Sequence, residues 1–434
     1  MVTTRRETDG SFFVSAKVYD VYRETTAKPK PADEEHLVLS VTLYRLLSGI
    51  LGFAPPWGVL YGVRPAKLMH RLCAQMGDDA AVAHFQTAFS TQKSKAELAH
   101  EVMLHENRSI ARSGPKSFSL YVSIPFCPTR CAYCSFVSHS IEKTHKLMTP
   151  YVDLLLRELE ETAKYAKELG LELATVYFGG GTPTTLSAQD LGRIFSTIEQ
   201  NFDLSHLMEY TVEAGRPDTV TRERLEVIQA AGVQRISINP QSFNDKVLEA
   251  IGRRHTAQQT LDAFALARDC GFDHINMDFI AGLPEDDLPS FQRSIQTALD
   301  LQAESITVHT LALKTSAYMV TREQTFDLKD RLTVSNMVDY AGQTLHGAGY
   351  YPYYMYRQSK SLGNLENVGW CKPGYDCLYN VYMMDETHTV LAVGAGAVTK
   401  LRGQNSGMIE RIYNYKYPYE YIRDFDTLLE RKKR

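Results

Sequence analysis

Short apolar runs alternate with longer amphipathic stretches through the middle of the chain, from about residue 118 to residue 325. Runs of this length that are rich in β-branched and aromatic residues predict buried strands. The six predicted strands are Ser119–Ile124, Thr175–Phe178, Tyr210–Ala214, Arg235–Ile238, His274–Ile280 and Ser305–Leu311. The stretches between them have helical periodicity, as in Pro150–Glu168, Arg222–Ala231 and Ala257–Cys270. Repeated βα units predict an α/β fold with a parallel sheet, either open or curved into a partial (βα)6 barrel.

Different patterns precede and follow this region, so we expect a chain of three parts. Residues 1–117 combine a strand-like run near Ser11–Tyr19 with mostly helical patterning, and they predict an N-terminal accessory domain. Residues 118–325 form the predicted core. Residues 326–434 begin with a helical stretch near Leu328–His346 and predict a C-terminal α+β domain that covers the substrate.

Charge and composition exclude few functions. The chain has 47 basic and 51 acidic residues, so neither nucleic acid nor an anionic membrane is indicated as a partner. Its first ten residues are polar and charged, unlike a signal peptide. The most apolar early stretch, His36–Phe53, contains Arg45, so we expect an amphipathic core helix and no membrane span.

Three cysteines stand close together directly after the first strand of the predicted core. Cys127, Cys131 and Cys134 have the spacing C-x3-C-x2-C, and a loop of this length lets three sulfurs converge on one metal centre. A zinc site usually has a fourth protein ligand, for which His139 is the nearest candidate. We favour a [4Fe-4S] cluster with one open iron over a zinc knot or ordinary core thiols. Because such thiols must stay reduced, we expect a cytoplasmic protein.

Glycine-rich and polar motifs follow the later strands at their carboxyl ends, where parallel sheets place functional loops. The turn Gly179–Thr182 lets a ligand approach the backbone closely, although a tight strand-to-helix turn is the alternative. Glu213 is costly to bury without a partner, and a surface salt bridge is its alternative role. Asn276 and Asp278 share one face of the fifth strand, which indicates a polar cavity rather than an apolar barrel interior.

The cysteine motif, with Tyr133 directly before the third cysteine, resembles the radical S-adenosylmethionine (SAM) superfamily. The resemblance implies a cluster whose open iron binds the amino and carboxylate groups of SAM and splits its sulfonium to a 5′-deoxyadenosyl radical. The family's pattern also accommodates a second SAM. The cofactor-binding residues that it implies are Tyr121, Tyr133, Gly179, Gly180, Gly181, Thr182, Glu213, Gln241 and Asp278.

Three further motifs, together with the glycine turn, narrow the resemblance to one branch. Asn239–Phe243, Arg253–His255 and Asp278–Pro284 resemble the oxygen-independent coproporphyrinogen III oxidase group, whose relatives include heme chaperones and anaerobic heme-opening enzymes. The resemblance covers roughly residues 118–400. It implies a tetrapyrrole substrate, a low-potential electron donor and oxidative decarboxylation of two propionates to vinyl groups. A heme-binding chaperone and a radical methyltransferase or heme-opening enzyme are the alternatives.

Two residues depart from the decarboxylating members of this group. Phe136 stands where those members carry a fourth cysteine, and the heme chaperones also have phenylalanine there. Ser123 stands where the relatives usually have histidine. Phe136 therefore favours the heme-chaperone alternative, and Ser123 alters a position near the cluster that is suited to proton or substrate handling.

Tyrosines are dense after residue 349, at positions Tyr350, Tyr351, Tyr353, Tyr354, Tyr356, Tyr375, Tyr379 and Tyr382. Rings that carry hydroxyls suit a flat tetrapyrrole, and an aromatic core is the equal alternative. Arg357 and Lys360 are candidates to pair with propionates.

Several other sequence features indicate a function less specifically, and two of them have two possible interpretations. His309 is a candidate catalytic group or a hydrogen-bonded core histidine, and Gly62–Lys67 begins either an anion-binding lobe or a capping domain with solvated charges. Val393–Val398 resembles the family's glycine loop near SAM. We expect the remaining cysteines to be ordinary thiols, and these are Cys73, Cys270, Cys371 and Cys377.

Overall fold

The structure, a computed structural model, describes most of the chain. The described residues are 1–30, 34–134, 139–312, 328–403 and 408–432. They divide into two compact units. The smaller unit consists of Met1–His105 and Met355–Glu366, and the larger of Glu106–Tyr354 and Asn367–Arg434. The three-part division expected from the sequence stays a prediction.

The smaller unit begins with a three-stranded antiparallel sheet, followed by helices. The strands are β1 Val2–Arg6, β2 Phe12–Val18 and β3 Val21–Ala27, in the order β1-β2-β3. The helices are α1 Glu35–Leu51, α2 Pro65–Met76, α3 Asp78–Phe89 and α4 Lys93–Ile110, of which the last five residues belong to the larger unit. The strand predicted near Ser11–Tyr19 is confirmed as β2, whereas β1 and β3 were not expected.

Helix α1 corrects one expectation about burial. It forms within the stretch predicted to be a core helix, but none of its residues is buried. Its contacts are mainly with β2 and β3, so only one face is covered. The helix forms at the expected residues, but the expectation that it lies in the core is wrong. Apolar periodicity shows that a helix has an apolar face, but it does not show how completely other elements cover that face.

The smaller unit contains a buried cluster of polar side chains that connects residues distant in the sequence. The indole Nε1 of Trp57 donates to Glu366 Oε2 at 2.6 Å, and Lys95 Nζ lies 2.6 Å from Glu366 Oε1. Burial alone would raise the pKa of Glu366, but Lys95 and Trp57 outweigh it, and the pKa is lowered. Arg357 lies over the Trp57 ring, 5.3 Å from its centroid, and donates to the Leu60 carbonyl at 2.8 Å.

The larger unit contains the repeated βα pattern. Its first elements are β4 Ser117–Ile124, β5 Phe126–Cys127, β6 His139–Ser140, α5 Ile141–Glu168, β7 Glu172–Gly180, α6 Ala188–Asn201, β8 Glu209–Glu213, α7 Arg222–Ala230, β9 Arg235–Ser237, α8 Asp245–Ala250, α9 Ala257–Asp269, β10 Ile275–Ala281, α10 Leu288–Asp300 and β11 Ser305–Thr310. All six predicted strands of the core are therefore confirmed, as β4 and β7 to β11.

The remaining elements return to the same sheet. They are α11 Leu328–Gly347, β12 Tyr351–Arg357, β13 Glu366–Cys371, α12 Leu378–Asp385, β14 Thr389–Val393, β15 Val398–Arg402, β16 Ile409–Tyr413, α13 Pro418–Arg423 and α14 Phe425–Lys432. Within the described residues, the 11-stranded sheet has the order β12-β13-β11-β10-β9-β8-β7-β4-β14-β15-β16. The later strands thus extend both edges of the core sheet.

The register of the sheet determines where a site can form. The six core strands pair in parallel as neighbours, with Ile124 opposite Gly180 and Glu213 opposite Ser237. Their carboxyl ends consequently meet at one edge of the sheet, as expected for an α/β fold. No helix in the described part of the chain combines the length and apolar character needed to cross a membrane.

Helix α12 is anchored by a buried carboxylate at the start of β8. Glu209 accepts the N–H of Leu378 at 2.6 Å and of Tyr379 at 3.1 Å, the first turn of the helix. These N–H groups have no partner within a helix, so the carboxylate satisfies them and the positive end of the helix dipole. Burial raises the pKa of Glu209.

Candidate cluster and cofactor site

The three motif cysteines lie in one loop that leaves the end of β5. Cys127 is half-buried at the strand end, and Cys131 and Cys134 follow, with the N–H of Cys134 donating to the Cys131 carbonyl at 3.1 Å. The N–H of Ala132 donates to the carbonyl of Ile251 at 2.9 Å, which holds this loop against the end of α8. All three thiols are free of disulfides. Phe136, the departure from the decarboxylating relatives, lies outside the described residues.

The zinc alternative loses its fourth ligand. His139 packs edge-on against Tyr417, with ring centroids 5.7 Å apart. Among the described residues, neither His139 nor the three thiols belong to a group of ligand atoms within 4.8 Å of one another. Burial, followed by Arg130, lowers the pKa of His139. An iron–sulfur cluster that is held by three thiolates does not require His139 as a ligand.

Two buried arginines face the cysteine loop. Arg216 Nη1 lies 3.8 Å from Cys131 Sγ, and the same guanidinium donates to Thr129 Oγ1 at 3.1 Å. Arg253 donates to the Asn239 carbonyl at 2.5 Å, and although burial opposes it, Tyr133 and Cys131 raise the pKa of Arg253. Positive charge beside a thiol favours the thiolate, which is the form that binds metal.

Arg216 was not recognised in the sequence. It follows the carboxyl end of β8 by three residues, the kind of position at which a functional group is expected in a parallel sheet. That position was the only signal that could have found it.

His255 is a buried ring next to these arginines. Burial, together with Arg253 and Arg216, lowers the pKa of His255 to about 3, so the ring is neutral. Neither ring nitrogen has a hydrogen-bond partner among the described residues. A buried polar group of this kind is usually satisfied, so the ring fits a site that is completed by a further polar group.

The glycine turn packs directly against the first cysteine. A Cβ atom on Gly181 would lie 2.6 Å from the Phe126 carbonyl oxygen and 3.0 Å from Cys127 Sγ. Thr182 Oγ1 lies 3.4 Å from the same sulfur. The N–H groups of Gly181 and Thr182 already donate to the carbonyls of Ile124 and Phe126. Any contact that these two residues make with a cofactor must therefore come from their carbonyls or, for Thr182, its side chain.

Glu213 lies where the glycine turn begins. Tyr177 donates its hydroxyl proton to Glu213 Oε1 at 2.6 Å, and a Cβ on Gly179 would lie 3.3 Å from that oxygen and 3.2 Å from the Tyr121 hydroxyl. Burial raises the pKa of Glu213 to about 7. Within the described residues it has no ion-pair partner in contact, so its role as a surface salt bridge is not observed. A carboxylate in this state fits the amino group of a ligand.

Three tyrosine rings stack beside this carboxylate. The ring centroids of Tyr177 and Tyr379 are 4.4 Å apart, and those of Tyr121 and Tyr379 are 5.9 Å apart. The Tyr379 hydroxyl is buried and has no partner in the described part of the chain. The stack joins β4, β7 and α12. Its third ring, Tyr379, comes from more than 200 positions later in the chain than the other two and could not be paired with them from the sequence.

Asp278 belongs to a second polar group on β10. It accepts a hydrogen bond from Asn276 Nδ2 at 2.7 Å, and His309 Nε2 lies 3.8 Å from its other oxygen. Burial alone would raise the pKa of Asp278, but His309 and Asn276 reverse this and lower it. Gln241 is connected to this polar group through its backbone, because its N–H donates to the Asp278 carbonyl at 2.9 Å. The φ angle of Gln241 is +68°. The expected polar face of β10 is confirmed.

The side chain of Ser123 is buried and makes a hydrogen bond within the fold. Its hydroxyl donates to the Ala395 carbonyl at 2.8 Å, and its own carbonyl accepts the Tyr151 hydroxyl at 2.7 Å. The predicted glycine loop Val393–Val398 thus lies against β4. Gly394 donates its N–H to the buried Glu158 at 2.7 Å, which holds the loop in place.

Several later candidates serve the fold instead of a ligand. Tyr350 donates to the Ala303 carbonyl, Tyr351 donates to Asp376 at 2.7 Å, and Tyr382 stacks on His388 with centroids 3.9 Å apart. For these rings the aromatic-core alternative is the correct one.

The expectation that Arg357 pairs with propionates is corrected. Its guanidinium is buried in the smaller unit, where it donates to the carbonyls of Leu60 and Asn364, and burial lowers its pKa to about 10. Lys360 is exposed. The buried thiols of Cys371 and Cys377 have pKa values raised first by burial, consistent with ordinary protonated thiols.

Comparison with known proteins defines the class. Residues 121–298 match the profile of the Radical SAM superfamily. The chain belongs to this superfamily and, within it, to the family of coproporphyrinogen-III oxidase-like proteins and heme chaperones.

Individual relatives place it more closely. It is 36% identical over 398 residues to the oxygen-independent coproporphyrinogen-III oxidase-like protein HemZ of Bacillus subtilis, covering 91% of this chain and 79% of that protein. It is 31% identical over 318 residues to the heme chaperone HemW of the same organism, covering 71% and 79%. The solved coproporphyrinogen III oxidase HemN of Escherichia coli has the same fold, with a TM-score of 0.55 at 22% identity over 75% of this chain and 72% of that one. The predicted α/β radical SAM fold is therefore confirmed.

Membership of the superfamily implies a [4Fe-4S] cluster and SAM. The residues present fit both groups. The cysteine loop lies beside two guanidiniums, only glycine can stand at position 181 against Cys127, and Glu213 is a desolvated carboxylate with no contacting cation among the described residues.

Proposed function

We propose that this protein is an oxygen-independent coproporphyrinogen III dehydrogenase that converts two propionates to vinyl groups and yields protoporphyrinogen IX. The proposed identity of the substrate is supported by the similarity to the coproporphyrinogen-III oxidase-like relative over 91% of the chain. The pairing of a cysteine loop with a nearby glycine turn and Glu213 supports radical SAM chemistry. The reaction would need a low-potential electron donor, and the reduced thiols suit the cytoplasm.

Each residue of the site has a role in this proposal. Cys127, Cys131 and Cys134 would hold the cluster. Glu213 would bind the ammonium group of SAM, and Asp278 would bind a ribose hydroxyl. When bound, the cluster and SAM would supply a 5′-deoxyadenosyl radical that takes a hydrogen atom from the β-carbon of a propionate. The vinyl group would form as carbon dioxide leaves and one electron passes to an electron acceptor.

The protein's own contribution is position and exclusion of water. A propionate must be held with its β-carbon close to the radical, because a misplaced carbon loses the advantage of proximity. The stacked rings of Tyr121, Tyr177 and Tyr379 form an aromatic wall beside Glu213, and a closely packed wall of this kind would keep water from a reactive intermediate. The roles of the remaining implied cofactor residues, and a second SAM, stay predictions.

A heme chaperone is the second candidate. Phe136 favours it, because the heme chaperones share phenylalanine at that position, and so does the similarity to HemW over 71% of this chain. In that case the cluster would regulate heme transfer, and the protein would bind heme tightly without releasing deoxyadenosine.

One anaerobic assay separates the candidates. Reconstituted protein is incubated with SAM, a strong reductant and coproporphyrinogen III, and tetrapyrroles and deoxyadenosine are quantified together by mass spectrometry. We expect protoporphyrinogen, with deoxyadenosine formed in proportion to the vinyl groups. Cys127→Ala is the control that lacks a cluster ligand. Tight heme binding with intact porphyrinogen and no deoxyadenosine would contradict the proposal, and S-adenosylhomocysteine would indicate the methyltransferase or heme-opening alternative.

A further inference from the structure

The smaller unit brings together three side chains of the types that bind transition metals. Cys73 lies in the last turns of α2, Asp78 is the first residue of α3, and His100 lies in α4. The thiol sulfur, a carboxylate oxygen and an imidazole nitrogen of these residues all lie within 4.8 Å of one another. They are separated in sequence by 5 and 22 positions, so only the packing of the three helices makes them neighbours.

A single residue between two helices creates half of this arrangement. Gly77 has φ at +84°, a conformation that favours glycine, and its N–H donates to the Cys73 carbonyl at 2.9 Å. The chain therefore turns at once from α2 into α3, and Asp78 arrives beside Cys73. His100 reaches the pair from α4.

The imidazole of His100 faces the carboxylate of Asp78. Its Nε2 lies 3.1 Å from Asp78 Oδ2, yet this atom is shielded from solvent and has no hydrogen-bond partner of acceptable geometry in the described part of the chain. The Cys73 thiol is hydrogen-bonded to the same carboxylate, so the three side chains converge on one point. A sulfur, a nitrogen and a carboxylate oxygen together form a donor set that zinc accepts.

We propose that Cys73, Asp78 and His100 form a mononuclear Zn²⁺ site whose fourth position is open to solvent. Bonds of about 2.0–2.3 Å to a tetrahedral zinc ion place the ligand atoms roughly 3.3–3.8 Å apart. From separations of at most 4.8 Å, this requires only small rotations of the side chains. Asp78 has 55% of its side chain exposed, so an ion can enter from solvent and keep a water ligand. The proposal is independent of the proposed dehydrogenase activity.

The test uses the full chain with its iron–sulfur cluster reconstituted, so that the motif cysteines are occupied. Zn²⁺ is titrated anaerobically against a chromophoric chelator, and zinc and iron per chain are then measured by mass spectrometry. We expect one zinc per chain with the iron content unchanged. Cys73→Ser and Asp78→Asn should weaken zinc binding by at least the ~10–100-fold that loss of a supporting outer-shell residue costs.

Matched variants serve as controls. Asp79→Asn removes the neighbouring exposed carboxylate of the same helical turn, and Cys270→Ser removes a half-buried thiol elsewhere. Both should bind zinc like the original protein. Co²⁺ provides a second readout, because a sulfur-to-cobalt charge-transfer band should be present in the original protein and absent in Cys73→Ser.

Two results would overturn the proposal. One is zinc uptake that is equal in the original protein and in Asp78→Asn. The other is equal loss of uptake in Asp78→Asn and Asp79→Asn, which would indicate unspecific binding to the acidic turn. If Cys73→Ser does not fold, as judged by circular dichroism, Asp78→Asn decides the question alone, because its side chain is on the surface.

Discussion

Replacing Gly181 with alanine tests how closely the glycine turn approaches the cysteine loop. The added Cβ would lie 2.6 Å from the Phe126 carbonyl oxygen, 2.9 Å from the Ile124 carbonyl oxygen and 3.0 Å from Cys127 Sγ. Two of these neighbours are backbone atoms that cannot rotate away. They also accept the N–H groups of Gly181 and Thr182 at 2.7 and 2.8 Å, so moving them weakens two hydrogen bonds.

The magnitude follows from these contacts. Overpacking costs about 1–3 kcal/mol. Weakening the hydrogen bonds adds about 0.5–1.5 kcal/mol for each bond that is lost. If both bonds are lost, we therefore expect Gly181→Ala to destabilise the folded state by about 2–6 kcal/mol. Because Cys127 must shift as well, we also expect the variant to hold less iron than the original protein after reconstitution.

The assay compares iron and sulfide per chain, the absorbance near 400 nm and the urea midpoint of unfolding. Gly192→Ala is the matched control, since its Cβ would lie 3.7 Å from Val227 Cγ1, an ordinary contact, inside helix α6. Alanine is favoured over glycine in a helix by about 0.5–1 kcal/mol, so this control should keep its iron and gain slightly in stability. If Gly181→Ala retained both the iron and the urea midpoint of the original protein, the close packing described here would be wrong.

Three further predictions concern the proposed site and one corrected assignment. Cys127→Ala should lose the cluster and all SAM cleavage, whereas Cys270→Ala should keep its iron, as measured by iron analysis and deoxyadenosine release. SAM binding to the original protein should strengthen as the pH rises through about 7, because the carboxylate of Glu213 ionises there, and Glu213→Gln should bind SAM more weakly and without this pH dependence in calorimetry. Arg357→Ala should lower the urea midpoint by an amount equivalent to about 2–3 kcal/mol, as expected for lost hydrogen bonds from a buried charge, and leave coproporphyrinogen affinity like that of Lys360→Ala.

Each of these three predictions would be contradicted by a specific result. Full iron content in Cys127→Ala would remove the central inference. A SAM affinity that stays constant from pH 6 to pH 8 would mean that Glu213 does not bind the amino group. A selective loss of porphyrinogen binding in Arg357→Ala, with unchanged stability, would show that Arg357 pairs with propionates after all.

The core strands and the cysteine motif were predictable from the sequence. All six strands from Ser117–Ile124 to Ser305–Thr310 formed where apolar runs predicted them, because alternation and periodicity depend on neighbours a few positions away. The cysteine spacing is equally local, since a short loop restricts where its sulfurs can lie. The place of polar residues at strand ends followed from the general geometry of parallel sheets.

The partners of those residues were decided only by the tertiary structure. Tyr177 meets both Glu213 and Tyr379, and Arg357 meets Trp57 across 300 positions, although nothing in the local sequence of either residue indicates the contact. The same is true of the metal-ligand group around His100.

Burial also required the folded chain. Helix α1 has the apolar pattern of a core helix and yet no buried residue, and the pKa of Glu213 rises to about 7 only because the sheet removes it from water. A sequence pattern indicates which side chains of a segment are apolar enough to be buried. The desolvation of a charged side chain and the identity of its partner depend on segments that are distant along the chain and meet only when it folds.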